Sequence, residues 1–202
     1  MKNTILAVSA LALLTACGGS NAPVIAQITS LPYDGVEELA MSLSDKYDDL
    51  LDSGEFNGAD DLRANGTAGF AGVVAVGGSG VANGTSEAIV IGQISVLADF
   101  ENDKLTGTAS DFYDIEDESA IGGSASLDAD INTGTGMFAG TFEGAFEDTG
   151  GVDDDVPFSA DIEGGFAGAN GEAVAGSGTG TITFPEDEGG ELGFGVVFAA
   201  VE

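Results

Sequence analysis

The reactive side chains of this chain are almost all carboxylates. It has 202 residues, with 35 Asp and Glu against 4 Lys and Arg, no His and one Cys. Four kinds of chemistry are open to carboxylates at close spacing. The first is calcium binding, for which Asp128, Asp130, Asn132 and Gly134 fall at alternate positions. A calcium loop of the EF-hand type needs Gly at its sixth position and Glu at its twelfth. The chain has Thr133 and Ala139 there, so this stretch reads as a hairpin and not as a metal site. The second is looser cation collection by Asp153-Asp154-Asp155 and Glu186-Asp187-Glu188, runs that are more often solvated loops. The third is paired-carboxylate hydrolysis, in which one acid protonates a leaving group and another activates water. With acids throughout the chain, no particular pair stands out. The fourth, a nucleophilic triad, is excluded, because no His can serve a Ser and the one thiol is Cys17 near the N-terminus. No catalytic, cofactor or metal-ligating residue is therefore assigned.

The charge balance excludes further classes. A net charge of −31 repels phosphate backbones, so nucleic acid is not a partner. It fits solubility in a salty medium, where ions screen self-repulsion, or attraction of a basic partner. One cysteine cannot form an intramolecular disulfide. Asn65-Gly66-Thr67 and Asn83-Gly84-Thr85 fit a glycosylation pattern, which carries no meaning for a bacterial export route.

That export route is written in the first residues. Lys2 supplies a positive start and Ile5 to Leu14 a short apolar core, too short to span a bilayer as a helix. Leu14-Thr15-Ala16-Cys17 resembles the lipobox of bacterial lipoproteins. That resemblance implies cleavage before Cys17, acylation of its sulfur and new amine, and stable membrane anchoring by several acyl chains together. Gly18 in place of Asp is similar to the outer-membrane sorting signal of enterobacterial lipoproteins. The expected organisation is a signal peptide over 1–16, a lipid-anchored tether over 17–33, a helix and connector over 34–64, and a β-barrel over 65–202. Within the tether, GGSN is flexible, while Val24, Ile25 and Ile28 are suited to docking on the domain.

Asp34 to Ser53 has the period of one amphipathic helix. Val36, Leu39, Ala40, Leu43, Tyr47, Leu50 and Leu51 recur at three and four residues. Asp34, Glu37 and Glu38 suit the positive end of the helix dipole, and Gly54 is a stop. The polar face is acidic with only Lys46 basic, which disfavours a membrane surface. The helix is expected to pack on the sheet or to plug it.

From Asn65 onward the period is two. Phe138, Gly140, Phe142, Gly144 and Phe146 share one face, with Met137, Thr141, Glu143 and Glu147 on the other. Eight such runs are expected: 66–76, 88–99, 104–112, 119–131, 136–147, 156–166, 172–184 and 191–201. Turn-forming residues separate them, among them Asn83-Gly84, Asn102-Asp103, Asn132 to Gly136, Thr149 to Gly151, Asn170-Gly171 and Pro185 to Gly190. The fold class is mainly β: an eight-stranded antiparallel up-and-down barrel with one N-terminal helix. Its wet face carries Ser, Thr, Asp and Glu. A membrane-spanning barrel would need an apolar lipid face, so this barrel is expected to be soluble and hung from its lipid.

The C-terminal third carries a second resemblance. Gly165, Phe166 and Gly168, then Glu172, Ala173 and Val174, then Ala175-Gly176, then Phe194-Gly195 and Phe198 are similar to the closing strands of transferrin-binding protein B-like surface lipoproteins. Leu105-Thr106-Gly107-Thr108 resembles another of their strand starts. Asn170-Gly171 stands where relatives often carry a proline-containing step. The resemblance spans residue 66 to the C-terminus, and implies a Gram-negative outer-membrane lipoprotein, often at the cell surface, of the nutrient- or iron-acquisition type. Its partners would be the outer membrane through the lipid, and a protein or solute ligand or an outer-membrane receptor. The binding residues of better-studied relatives lie in handle domains and variable loops this chain mostly lacks, so none is carried over. The only assigned site residue is Cys17, for lipidation.

Three functions follow from different classes: a non-enzymatic binding lipoprotein, a structural envelope lipoprotein without a ligand, and a carboxylate-based hydrolase. An apolar patch at the loop end would favour the first, a smooth acidic surface the second, and a deep pocket with two facing acids the third. The connections that could bind are 77–87, 113–118 and 148–155. Phe112 and Tyr113 form an aromatic pair that is either displayed on a loop or tucked in as a strand end.

Overall fold

The computed structural model describes residues 30–53, 66–78, 88–132, 135–147, 155–168, 171–184 and 191–202. The signal, Cys17 and most of the tether lie outside the described residues, as do 54–65, 79–87, 148–154, Thr133-Gly134, Ala169-Asn170 and 185–190.

Among the described residues one helix, α1 (Tyr33–Ser53), precedes nine strands. Eight are long: β1 (Thr67–Gly78), β2 (Ala88–Asp99), β3 (Lys104–Asp114), β5 (Gly123–Asn132), β6 (Met137–Phe146), β7 (Val156–Ala167), β8 (Ala173–Thr183) and β9 (Glu191–Val201). The ninth, β4 (Ala120–Ile121), is a two-residue pairing on the end of β3. Each long strand pairs antiparallel with the next in sequence, and β1 closes the ring on β9 from Ala71↔Val201 to Gly78↔Phe194. This is the up-and-down barrel that the period-two pattern predicts. Closure leaves no long strand with an unpaired edge, which removes the hazard of edge-to-edge association.

The interior is filled by the residues the alternation points inward. Phe142, Phe158 and Phe198 are 1%, 4% and 2% exposed. Phenylalanine rings run through the barrel in contact: Phe112 with Phe146, Phe146 with Phe158, Phe158 with Phe194 and Phe142, and Phe138 with Phe166 and Phe198. Centroid separations of 4.7 to 6.2 Å are those of rings meeting edge-on or tilted. Outward positions of β5 and β7 (Ser124, Ser126, Asp128, Asp130, Ser159, Asp161, Glu163) are exposed. That outer wall is the reverse of a lipid-facing barrel surface. Among the described residues no helix is long and apolar enough to cross a membrane.

Two strand features depart from the expected runs. The run 119–131 is broken between β4 and β5, where Gly123 holds φ at 119°. And β3 continues to Asp114 through a bulge: pairing with β2 shifts between Ile91 and Gln93, and Asp111 adopts φ 51°. A bulge inserts one residue and so flips the parity of all that follow. Leu105 and Ala109 point inward before it, and Phe112 after it. Gly92 lies opposite, where an added Cβ would collide with the Phe112 ring.

The helix packs on the outside of the barrel, not inside it. Val36 and Leu43 are buried against Val73 of β1 and Ile91 of β2, with Leu39, Ala40, Tyr113 and Val201 around them. Pro32 O accepts hydrogen bonds from Gly35 N and Val36 N, opening the first turn. The side chains of Tyr47, Leu50 and Leu51 lie outside the described set.

Candidate functional site

An antiparallel meander puts alternate connections at the same end. The ends of β2, β5 and β7 therefore share one end of the barrel with the starts of β3, β6 and β8. The ends of β1, β3, β6 and β8, with the starts of β2, β5, β7 and β9 and the short β4, form the other. The strand ends that flank the three stretches singled out in the sequence thus lie at one rim.

That end is not plugged by the core. Between the strand ends is a cavity of about 560 Å³. Val76, Val90, Phe146, Ile182 and Phe194 form its inner wall, and Ile89 and Leu192 stand at its lip. Ile89 is 57% exposed and Leu192 54%. Leu192 has the inward parity that the alternation predicts. It sits beyond the last filled layer, so it lines the mouth instead of the core. A concave, mostly apolar site of this size is what small ligands occupy.

Three acidic residues also line the mouth: Asp114, Asp117 and Glu147, the last with its carboxylate over Gly122. Asp114 ends β3 and starts the turn, its Oδ1 accepting hydrogen bonds from Glu116 N at 2.8 Å and Asp117 N at 3.0 Å. Asp114 N donates to Ser119 O, which closes that turn, and Glu118 at φ 56° completes the reversal. Glu147 follows the last residue of β6, its backbone N donating to Gly122 O at 3.0 Å. Among the described residues no Lys or Arg lines the cavity.

The other sequence candidates are placed elsewhere. Asp128 and Asp130 stand on the outer wall of β5, and Lys104 of β3 reaches both, at 3.9 Å and 2.6 Å. The register Lys104↔Asp130 brings them together. The Asp130 carboxylate holds the Lys104 ammonium above its ordinary pKa, through a hydrogen bond first and charge second. Lys104 thus pairs with Asp130 and partly offsets the charge of Asp128 across a strand pair, in keeping with the hairpin reading. Gly134, Asp153, Asp154 and Glu186-Asp187-Glu188 lie outside the described residues, as does Cys17. Among the described residues no group of three or more His, Cys, Asp or Glu side chains is placed to hold a metal ion.

The aromatic pair at 112–113 is on a strand and not on a loop. Phe112 is in the core, and Tyr113 faces outward beneath the start of α1. Tyr113 Oη donates to Leu31 O at 2.7 Å, and its ring meets Tyr33 edge-on at 6.0 Å. Burial, then the negative charges of Glu37, Glu118 and Asp34, push the Tyr33 hydroxyl above its ordinary pKa. Sequence reasoning missed Ile89, Ile182, Leu192 and Glu147 as site residues. The signal was present: alternate connections are long, and in a meander those share an end.

No family model and no curated protein matches this chain. Among solved structures it is similar to the isotype 1 transferrin binding protein B of serogroup B Neisseria meningitidis, at 22% identity and a TM-score of 0.47 over 72% of this chain and 27% of that one. It is also similar to the transferrin binding protein B mutant Trp-176-Ala from Haemophilus parasuis Hp5, at 18% identity and a TM-score of 0.41 over 72% of this chain and 28% of that one. The chain thus spans little more than a quarter of the length of these two structures.

Proposed function

We propose that this chain is an outer-membrane lipoprotein, anchored through acylated Cys17, that acts as a non-enzymatic binding module. The open end of its barrel is the binding face. The observation that carries this is the coincidence, at one end of the barrel, of an apolar cavity with the exposed side chains of Ile89 and Leu192. A protein ligand, a solute or an outer-membrane receptor would be met at that face. The family resemblance of the closing strands points to nutrient or iron acquisition.

Two experiments test this. Labelled fatty acid should enter the wild-type chain and not Cys17→Ser, and the variant should leave the membrane fraction. The chain from residue 18 should then serve as bait against outer-membrane extract beside its Ile89→Asp, Leu192→Asp double variant. Enrichment that the mouth variant loses and an outer-wall variant (Ser126→Asp, Ser159→Asp) keeps supports the reading. Equal enrichment by all three baits rejects it and leaves a structural envelope role.

A further inference from the structure

We infer that the barrel mouth takes a small cationic amphiphile, with its apolar body in the cavity and an ammonium or guanidinium head among Asp114, Asp117 and Glu147. This rests on the mouth being the binding face and adds the chemical class of its ligand.

The body of such a ligand meets the walls formed by Val76, Val90, Phe146, Ile182 and Phe194, which offer no polar side-chain atom. Burial of apolar area there supplies the affinity, at about 25 cal/mol per Å² before the costs of binding. A volume of about 560 Å³ holds one small molecule.

The head is selected by charge. Among the described residues, every ionisable side chain lining the cavity is acidic. The described bases are elsewhere: Lys104 is engaged by Asp128 and Asp130, and Lys46 is on α1. A carboxylate, sulfate or phosphate head would meet like charge from the lip and from a chain of net −31. A neutral head would forgo the attraction. A cation beside an apolar wall interacts with the lip through a medium poorer than bulk water, where charge pairs are stronger.

One acid of the lip is held in place before any ligand arrives. Asp114 spends Oδ1 on the backbone of its own turn. That fixes its side chain without neutralising it, since backbone N–H donors carry no net charge.

The test is calorimetric titration of the chain from residue 18, which contains the whole closed barrel and α1, with octylammonium, octyl sulfate and octyl glucoside below their micelle concentrations. Octylammonium should bind, and its affinity should exceed that of the other two by about tenfold or more at low salt, the gap narrowing at high salt. In the triple variant Asp114→Asn, Asp117→Asn, Glu147→Gln the preference should vanish while octyl glucoside binding is unchanged. Asn at 114 keeps an accepting oxygen for the turn, so the fold is retained. The control Glu143→Gln, Asp161→Asn, Glu163→Gln, with the same charge change on the outer wall, should keep the preference. Leu192→Lys, at an exposed lip position, should weaken octylammonium by a similar factor.

Equal affinity for all three probes overturns the charge assignment and leaves the mouth a binding face. Loss of the preference in the outer-wall control shows a diffuse field effect and overturns it too. Failure of every probe to bind overturns the inference, and the bait experiment separately decides the broader reading.

Discussion

Phe112 and Tyr113 are consecutive residues that serve opposite sides of the barrel wall. Phe112 packs edge-on against Phe146 in the interior at 5.1 Å, and Tyr113 reaches outward to the carbonyl of Leu31 at 2.7 Å. The bulge at Asp111 makes this assignment, because without the inserted residue Tyr113 would fall on the inward face. Tyr113 is thus the bolt between the wall and the segment leading into α1.

Tyr113→Phe keeps the ring against Tyr33 and removes the hydroxyl donor. The loss should cost about 0.5–1.5 kcal/mol in helix docking. Hydrogen exchange of amides 36–46 should accelerate while amides of β5 to β7 do not change. Acceleration spread evenly over the barrel would show that helix and barrel open as one unit.

Leu43→Ala removes an apolar side chain buried between α1 and the wall. The expected cost is about 2–5 kcal/mol. It should fall on the helix first, so limited proteolysis should cut within residues 33–53 before the barrel. A barrel lost at the same rate would mean that α1 is needed for closure.

Phe158→Ala should cost about 3–5 kcal/mol by denaturant titration, a large share of a domain's stability, because it leaves Phe142, Phe146 and Phe194 facing a void. Ser126→Ala on the outer wall should stay within about 0.5 kcal/mol. Similar costs for the two would contradict the inside-outside assignment.

Gly123→Ala should destabilise by about 1–3 kcal/mol, since φ 119° is a region that side chains with a Cβ rarely adopt and the new methyl would meet Ala145 O. Thermal melting of the variant beside Ser124→Ala separates backbone strain from ordinary surface change.

Asp99 caps the β2–β3 turn. The Asn102 side chain, then its backbone N–H, hold the Asp99 carboxyl below its ordinary value of 3.8. A folded-state pKa below the unfolded one means the carboxylate stabilises the fold above the unfolded value. That contribution is lost as pH falls through the lowered folded value. The stability gap between wild type and Asp99→Ala should therefore be constant near neutral pH and shrink below about pH 4. A gap that widens on acidification would reverse the sign.

The eight runs, their inward Phe positions and the single helix were legible because strand parity and helical period are local. Each side chain's face follows from its own neighbours. Strand ends 88–99 and 191–201 agree to the residue. What stayed hidden was non-local. Val73, Ile91 and Val201 are outward apolar residues on three strands, the last of them far from the other two in sequence. They form one patch only because β1 lies between β2 and β9. That patch is why α1 lies on the wall and not in the lumen, which is already full of phenylalanine. The mouth has the same origin. Ile89, Glu147 and Leu192 sit at the ends of different strands, and only closure of the ring brings their ends to one rim. Local alternation says which way a residue points. The tertiary structure decides how far along the barrel it sits, and so whether an inward residue ends in the core or at an opening.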